Sequence, residues 1–334
     1  MTTTVPTVRG EVDGAKLGQT LMHEHVLNIT AEVARDYPDL SWTKDKEAVL
    51  RSVVDQLRDV KARGIDTIVD CTAFGHGRDV DALQRINDQV DLNIIACTGI
   101  YTYDYLPFFF QYGHPVRRVN GKDVDILTEM FVRDVTDGIA GSGVRAGMIK
   151  TATDHAGVTP NIERILRAVA RAHRATGAPI TTHTTVATRN GLDQQRIFAE
   201  EGVDLGRVVI GHSGDSTDLD YLRALLDAGS TIGADRFGLY LPDIGMPVME
   251  TRVHTLAQLC AEGYGDRIVL SHDVTCYGDW LPKSMGGSPL TDWVQTHISD
   301  KVVPALLEAG VAAEQVEQML VGNPRRILEQ RQPY

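Results

Sequence analysis

Eight short apolar runs alternate with amphipathic stretches along most of this chain. Continuous apolar runs are typical of parallel strands that are buried on both faces, and each return to a parallel strand needs a crossover, usually a helix. The apolar runs are Thr20–Val26, Thr67–Cys71, Asn93–Thr98, Gly147–Thr151, Pro179–His183, Arg207–Gly211, Ser230–Gly233 and Arg267–Ser271. The clearest helical periodicity lies in Lys46–Arg63, Asn161–Thr176, Leu192–Glu201, Asp218–Ala228 and Glu250–Glu262. The alternation predicts an α/β fold.

Glycines stand where several of these helices should turn into the next strand, at Gly64, Gly202, Gly229 and Gly263. Eight strand–helix units with short returns, in a chain of 334 residues, favour one (β/α)8 barrel (TIM barrel) spanning residues 1–334 as a single domain. Residues 1–18 are then expected to be a lead-in that covers the barrel floor. A doubly wound open sheet is the alternative architecture.

Composition excludes several classes of partner. A formal net charge of −12 argues against nucleic acid and anionic membrane surfaces, because both require basic patches. No segment approaches the ~20 apolar residues of a membrane span, and the polar start lacks the core of a secretory signal. Four cysteines without metal-type spacing suggest reduced thiols in a cytoplasmic protein. A homodimer is also expected.

Side chains of metal-ligand type stand at or just after the ends of five of the eight runs. Active sites of α/β barrels are assembled from such strand ends. A His-x-His pair on a strand places both imidazoles on one face. The candidate ligands are His23, His25, Lys150, His183, His212 and Asp273. They predict a hydrolase that uses two divalent metal ions, with zinc preferred and cobalt, manganese or iron as alternatives.

Lys150 fits such a site only after modification. An ammonium group has donors alone and cannot bind a cation. Carboxylation by CO2 gives a carbamate that can bridge two metals. Two divalent ions with a carbamate, Asp273 and a hydroxide leave one positive charge, which attracts a developing oxyanion. An unmodified lysine pointing outward is the simpler alternative.

Several sequence segments resemble the phosphotriesterase family of the amidohydrolase superfamily, and within it the phosphotriesterase-like lactonases. These segments are TLMHEH (20–25), GIYTY (99–103), MIK (148–150), GLDQQR (191–196), EGVD (201–204), GHSGD (211–215), DRFG (235–238), SHD (271–273) and NP (323–324). The resemblance covers nearly the whole chain. It implies that His23, His25 and Asp273 hold the more buried metal, His183 and His212 the other, and that carboxylated Lys150 and a hydroxide bridge them.

The resemblance also bears on the substrate. Tyr101 matches the tyrosine that lies over the metals in the lactonases, and Asp235-Arg236 matches their element after strand seven. We therefore expect hydrolysis of lactones, most plausibly N-acyl-homoserine lactones (quorum quenching), with weak phosphotriesterase activity. Asp273 is expected to transfer the proton, Tyr101 and Arg236 to assist catalysis and contact the substrate, and Trp280 to hold the acyl tail.

Other interpretations remain open from the sequence. The same site would suit an organophosphate phosphotriesterase (aryldialkylphosphatase) or another carboxylesterase. A barrel that only binds, or an isomerase, is a further alternative. Thr275 stands where some lactonases carry cysteine, and the segment 111–122 resembles an insertion. No catalytic role is assigned to His76, His114, His155, His173, His254 or His297, and His272 is expected to be structural.

Overall fold

The computed structural model describes residues 3–42, 45–113, 116–119, 122–280, 284–285, 288–329 and 332–334. His114, parts of segment 111–122 and parts of the loop after Trp280 lie outside these residues. The strands are β1 (Thr4–Thr7), β2 (Gly10–Asp13), β3 (Gln19–Asn28), β4 (Ile65–Asp70), β5 (Asn93–Gly99), β6 (Val116–Val119), β7 (Lys122–Asp125), β8 (Met148–Ala152), β9 (Ile180–His183), β10 (Val208–Ile210), β11 (Thr231–Ala234), β12 (Ile268–Leu270), β13 (Thr275–Gly278), β14 (Ser284–Met285) and β15 (Ser288–Pro289).

The α-helices lie mostly between the strands of the main sheet. They are α1 (Ala31–Asp36), α2 (Pro38–Ser41), α3 (Lys46–Ala62), α4 (Val80–Asn87), α5 (Ile126–Thr136), α6 (Pro160–Thr176), α7 (Gly191–Glu200), α8 (Leu219–Asp227), α9 (Met249–Ala261), α10 (Val303–Glu308), α11 (Ala313–Glu317) and α12 (Asn323–Glu329). Aspartates cap the first turns of α3, α4, α5 and α8 by accepting a backbone N–H, which fixes where these helices begin. No α-helix of the described residues is both long and apolar enough to cross a bilayer.

All eight predicted strands form, each within two residues of its predicted ends, and they pair in parallel in the order β3, β4, β5, β8, β9, β10, β11 and β12. A ninth strand that the sequence did not predict, β13, returns beside β3 in parallel pairing. Backbone bonds from Asp273 N to His23 O and from His25 N to Val274 O join the same edge. The sheet thus closes into a (β/α)8 barrel, and the doubly wound alternative was wrong.

Apolar side chains fill two regions of the barrel. The larger cluster packs strands against the surrounding helices, with Ile68, Ile94 and Ile210 among its members. The second cluster fills the interior with side chains such as Met22 and Val69, and Val5 of β1 joins it. Residues 4–13 form the antiparallel hairpin β1–β2. Because the described interior is packed, a site built from strand ends has to lie at the rim of the barrel.

Local backbone irregularities aim the side chains at that rim. The pairing of β3 with β4 shifts register between Leu21 and Glu24, and such bulges re-aim side chains. The sequence placed His212 and Asp273 at strand ends, but they follow β10 and β12 by two and three residues, in left-handed backbone conformations with φ of 61° and 54°. Only strong local bonding holds non-glycine residues there.

Candidate metal centre

Five of the six predicted ligands line a pocket of about 270 Å³ at the strand ends, and the sixth, His23, lies directly beneath it. Fourteen described residues line the pocket: His25, Asn28, His76, Tyr101, Tyr103, Lys150, His183, His212, Arg236, Leu239, Asp273, Thr275, Trp280 and Trp293. A larger cavity of about 460 Å³ lies beside Arg63 and Glu317, but its described lining holds no histidine, cysteine or aspartate. The pocket at the strand ends, which holds the predicted ligands, is therefore the candidate site.

Each of the four predicted histidine ligands has one ring nitrogen bonded to an oxygen on the side away from the pocket centre. Asp235 accepts from Nδ1 of both His23 and His212, at 3.0 and 2.9 Å. Such bonds fix the tautomer and leave the other ring nitrogen with a free lone pair, which is how metal-binding histidines are oriented.

The other two histidines are held in the same way. Nδ1 of His25 donates to Thr72 Oγ1 over 2.8 Å, and that hydroxyl in turn donates to Asp70 over 2.6 Å. His183 is reversed, because its Nε2 bonds to Asp154 Oδ2 at 2.8 Å and its Nδ1 is the nitrogen that faces Tyr101 and Arg236.

Asp273 lies where the free nitrogens converge. Its Oδ1 is 3.1 Å from His25 Nε2 and 3.4 Å from His23 Nε2, and its Oδ2 is 3.7 Å from His212 Nε2. Lone pairs on nitrogen and carboxylate oxygen repel at these distances unless a proton or a cation lies between them. His23, His25 and Asp273 are close enough together to hold one ion. This donor set therefore fits a divalent metal.

Lys150 is buried in the same cluster, at 1 % exposure. Its Nζ lies 2.7 Å from His23 Nε2 and 3.4 Å from the carbonyl oxygen of Thr182. No carboxylate among the described residues pairs with this lysine. Gly99 is required beside it, since a Cβ there would collide with the Lys150 carbonyl.

Electrostatics divide the histidines into two kinds. Burial disfavours protonation of His183 and lowers its pKa to about 4, and burial likewise lowers the pKa of His212 well below its usual value. For His23, burial acts in the same direction, but its acidic neighbours, Cys71 and then Asp235 and Asp273, outweigh it and raise the pKa to about 9. The cluster around His23 therefore attracts an additional positive charge.

Arg236 and Tyr101 lie over this cluster. Arg236 Nε donates to Asp273 Oδ2 over 3.0 Å and its Nη1 to Asp215 Oδ2 over 3.2 Å. The Tyr101 hydroxyl lies 2.6 Å from that of Tyr103 and 3.5 Å from His183 Nδ1. Both side chains can contact a molecule bound at the pocket floor.

Trp280 forms part of the outer wall and is 47 % exposed. Trp293 also lines the pocket and is anchored by its Nε1, which donates to the carbonyl of His272 over 2.8 Å. Trp280, which was predicted to hold an acyl tail, therefore lies in the pocket wall, and Trp293 lies there too.

The sequence analysis missed His76 as a pocket residue. Its ring stacks on Tyr101 with centroids 4.0 Å apart and planes 3° apart, and it packs edge-on against His25. It also missed Asp70, Asp154 and Asp235 as partners of the histidines. Each of these carboxylates ends a strand or lies within two residues of a strand end, so the rule that found the ligands could have found them too.

Comparisons with known proteins agree with this geometry. Residues 3–328 match the family model described as the phosphotriesterase family. A solved structure described as the phosphotriesterase from Mycobacterium tuberculosis is 50% identical and superposes with a TM-score of 0.92, covering 99% of this chain and 100% of the other.

Two further relatives differ in described activity. An aryldialkylphosphatase from Saccharolobus solfataricus is 35% identical over 320 residues, which is 95% of this chain and 97% of the relative. A structure described under molecular engineering of organophosphate hydrolysis from a weak promiscuous lactonase template is 37% identical, with a TM-score of 0.87 and coverage of 97% and 99%. The matching family is one of binuclear, metal-dependent enzymes, and the cluster of candidate His and Asp ligands in this chain agrees with it. The chain therefore belongs to the phosphotriesterase family of metal-dependent hydrolases.

Proposed function

We propose that this protein opens lactone rings, with N-acyl-homoserine lactones as the preferred substrates and phosphotriesters as a slow secondary activity. The observation that carries the proposal is the arrangement of Tyr101 and Arg236 beside the predicted ligands. Three histidines direct a ring nitrogen toward Asp273, and the fourth, His183, directs its Nδ1 toward Tyr101 and Arg236.

The metal part of the proposal assigns two divalent ions. His23, His25 and Asp273 would hold one ion. His183 and His212, whose ring centroids lie 4.6 Å apart, would hold the other. Lys150 would serve both as a carbamate. When bound, such ions polarise a carbonyl oxygen and lower the pKa of a water molecule. Zinc is the expected metal, with cobalt, manganese or iron as alternatives.

Charge supports the carbamate. The Nζ of Lys150 lies 2.7 Å from Nε2 of His23, the nitrogen that would face a metal, and an ammonium there would repel the ion. Two divalent ions with a carbamate, Asp273 and a hydroxide leave one positive charge, whereas an ammonium in place of the carbamate would leave three. A site of that sign favours an oxyanion that forms in the transition state.

The side chains of this protein would orient the substrate and move the proton. The Tyr101 hydroxyl would donate to the ring ester, and Arg236 would keep Asp273 Oδ2 in place over 3.0 Å. Asp273 would accept the proton of the attacking water and pass it to the alkoxide that leaves. Trp280 and Trp293 would line the path of the acyl chain.

The nature of the leaving group favours a lactone over a triester. Ring opening leaves the alcohol attached to the product, so no separate space for a leaving group is needed. A triester releases a separate alcohol or phenol, which does need such a space. The described aryldialkylphosphatase relative nevertheless makes phosphotriester hydrolysis the second candidate. Other carboxylesters, or binding without catalysis, are the remaining alternatives.

The test is a comparison of kcat/KM for acyl-homoserine lactones of several chain lengths with kcat/KM for a dialkyl aryl phosphate. We expect the lactones to be preferred. Tyr101→Phe, which removes only the hydroxyl, should lower lactone turnover more than aryl phosphate turnover. A preference for the phosphate in the metal-loaded protein would assign the second candidate instead, and turnover of neither would favour a binding protein.

The same proposal includes a homodimer, a cytoplasmic location and one catalytic domain over residues 1–334. Exposed aromatic side chains between β5 and β6 support self-association, namely Tyr105, Phe108, Phe109 and Tyr112. Four free cysteines suit a reducing compartment. Light scattering after gel filtration would measure the oligomeric state.

A further inference from the structure

Glu24 stands between the two histidines of the His-x-His pair, yet its carboxylate contacts neither imidazole. It is buried at 1 % exposure. Four donors surround it, and all of them belong to residues 271–274. We propose that Glu24 is a positioning residue that sets the place of Asp273, and through it the geometry of the metal centre. This inference rests on the metal part of the proposed function.

The contacts of Glu24 lie on both sides of Asp273. Its Oε1 accepts from Ser271 Oγ at 2.7 Å, from the backbone N–H of His272 at 2.9 Å and from His272 Nδ1 at 2.6 Å. Its Oε2 accepts from the backbone N–H of Val274 at 3.3 Å. One carboxylate thus holds the backbone immediately before and immediately after Asp273.

Asp273 needs such support because its φ of 54° lies in the left-handed region. That conformation costs a non-glycine residue of order 1–3 kcal/mol and persists only when the surroundings over-determine it. The backbone N–H of Asp273 itself donates to His23 O over 3.0 Å. Glu24 therefore stabilises a strained segment whose only side chain directed into the pocket is that of Asp273.

The same carboxylate also connects to the strand that carries His23. Ser271 Oγ, which donates to Glu24, accepts the backbone N–H of His23 over 2.9 Å. The histidine strand and the Asp273 segment are therefore tied to one point. Distances of 3.1 and 3.4 Å between Asp273 Oδ1 and the two imidazoles depend on that connection.

The hydrogen bonds of His272 fix which of its ring nitrogens donates to Glu24. The backbone N–H of Ile298 donates to His272 Nε2 over 2.8 Å, so that nitrogen carries a lone pair and Nδ1 donates to Glu24 Oε1. A glutamine could replace only part of this arrangement, because its amide nitrogen would face an N–H or O–H donor.

The test compares metal retention in the wild type, Glu24→Gln and a control, Asp134→Asn. Asp134 is a partly buried carboxylate, whereas Glu24 is fully buried; it is bonded to Thr98 Oγ1 at 2.7 Å and Arg78 Nη2 at 3.0 Å, without a recorded contact to the predicted ligands. Each protein is loaded with cobalt, and metal loss to a chelator is followed by elemental analysis and by the visible absorption of the bound ion. Urea unfolding is measured in parallel.

We expect Glu24→Gln to lose metal about 10-fold faster than the wild type, with an altered cobalt spectrum, because partners of this type change metal affinity by about 10- to 100-fold. Asp134→Asn should lose stability but keep the wild-type spectrum and rate of metal loss. Ser271→Ala, which removes one donor and the link to His23, should change metal loss in the same direction as Glu24→Gln. It provides the test if Glu24→Gln does not fold.

Two results would overturn the inference alone: wild-type metal retention in both Glu24→Gln and Ser271→Ala, or equal metal loss in Asp134→Asn. A wild-type protein that binds no cobalt would instead refute the metal centre itself. If the metal-loaded wild type does not hydrolyse lactones, the proposed substrate is wrong. Metal retention and the cobalt spectrum of the variants still test the role of Glu24 in that case.

Discussion

Asp235 should be the side chain whose loss disturbs both metal positions at once. Its Oδ2 bonds to Nδ1 of His23 and its Oδ1 to Nδ1 and the backbone N–H of His212. In Asp235→Asn, only the amide oxygen can accept from a ring. The amide nitrogen would face the Nδ1–H of the other histidine, which must give up that proton or turn away.

The magnitude follows from one lost bond to a buried charged group. Hydrogen bonds to charged groups contribute roughly 1.5–3 kcal/mol. Since about 1.4 kcal/mol corresponds to a factor of ten in an equilibrium constant, we expect about 10- to 100-fold weaker metal binding. The tautomer change moves a proton onto the nitrogen that should hold the metal, so the affected histidine no longer ligates.

Asp154→Asn is the matched comparison. Asp154 bonds to Nε2 of His183, and the pKa of this carboxyl, which burial alone would raise, is held well below its usual range by that bond and by the N–H of His155. Because it supports only one histidine, its loss should weaken one of the two ions. Metal content after graded chelation, by elemental analysis, should show one ion leaving Asp154→Asn and one leaving Asp235→Asn, whereas Asp235→Ala, which removes both bonds, should lose both ions.

The assay has an independent control in the metal-free protein. Nitrogen-15 spectra of the imidazoles report which ring nitrogen carries the proton, so a changed tautomer of His23 or His212 should appear in Asp235→Asn before any metal is added. Wild-type metal content and unchanged tautomers in that variant would refute the reasoning, because Asp235 would then not determine where the lone pairs point.

Three further predictions test other parts of the centre. Lys150→Ala should lose metal and activity, with partial recovery on adding a short carboxylic acid or bicarbonate; full metal content without additive would rule out a ligand role for Lys150. Asp273→Asn should lower kcat by about 10²-fold or more, the usual contribution of a positioned general acid or base, and turnover within a few-fold of wild type would assign the proton to another group. In chelated protein, His183 has its pKa lowered by burial to about 4 and His23 has its pKa raised to about 9 despite burial, mainly by Cys71 and its carboxylate neighbours. Between about pH 4 and 6.5, His183 binds fewer protons in the native state than in the unfolded state, so the free energy of unfolding should rise with pH. Between about pH 6.5 and 9, His23 binds more protons in the native state than in the unfolded state, so the free energy of unfolding should fall as the pH rises. Urea unfolding across pH would show this maximum near neutral pH, and His183→Asn should flatten its acid side.

Much of the fold could be predicted from the sequence because strands and helices have local signatures. The run at Asn93–Thr98 became β5 (Asn93–Gly99), and the periodicity of Lys46–Arg63 became α3 (Lys46–Ala62). Strand β13 could not be predicted in this way, because its residues, TCYG, are neither a long apolar run nor an alternating one. Its pairing with β3 depends on where the preceding segment places it.

In the candidate site, too, the sequence predicted the features that depend on neighbouring residues but not those that depend on residues distant in the chain. Candidate ligands such as His183 were visible because they end apolar runs. The sequence could not show which nitrogen of each ring faces the pocket, since that depends on partners distant in sequence. Asp154 lies 29 residues from His183, and Asp235 lies 212 residues from His23. His76 was missed because it follows β4 by several residues and its place in the pocket depends on ring contacts with Tyr101 and His25.

The reversed ring of His183 shows why those distant partners matter for chemistry. His23 and His212 share Asp235 through Nδ1, so both present Nε2 to the pocket. His183 is held by Asp154 through Nε2 and presents Nδ1, which lies 3.5 Å from the Tyr101 hydroxyl and 3.4 Å from Arg236 Nη2. Nδ1 is closer to the backbone than Nε2, so a metal held by this histidine would lie nearer to β9 than one held through Nε2. Tyr101 and Arg236 lie beside that nitrogen, where they could contact a substrate bound to such a metal. Because Asp154 bonds to Nε2, one carboxylate that is distant in sequence determines which nitrogen of His183 would be available for a metal.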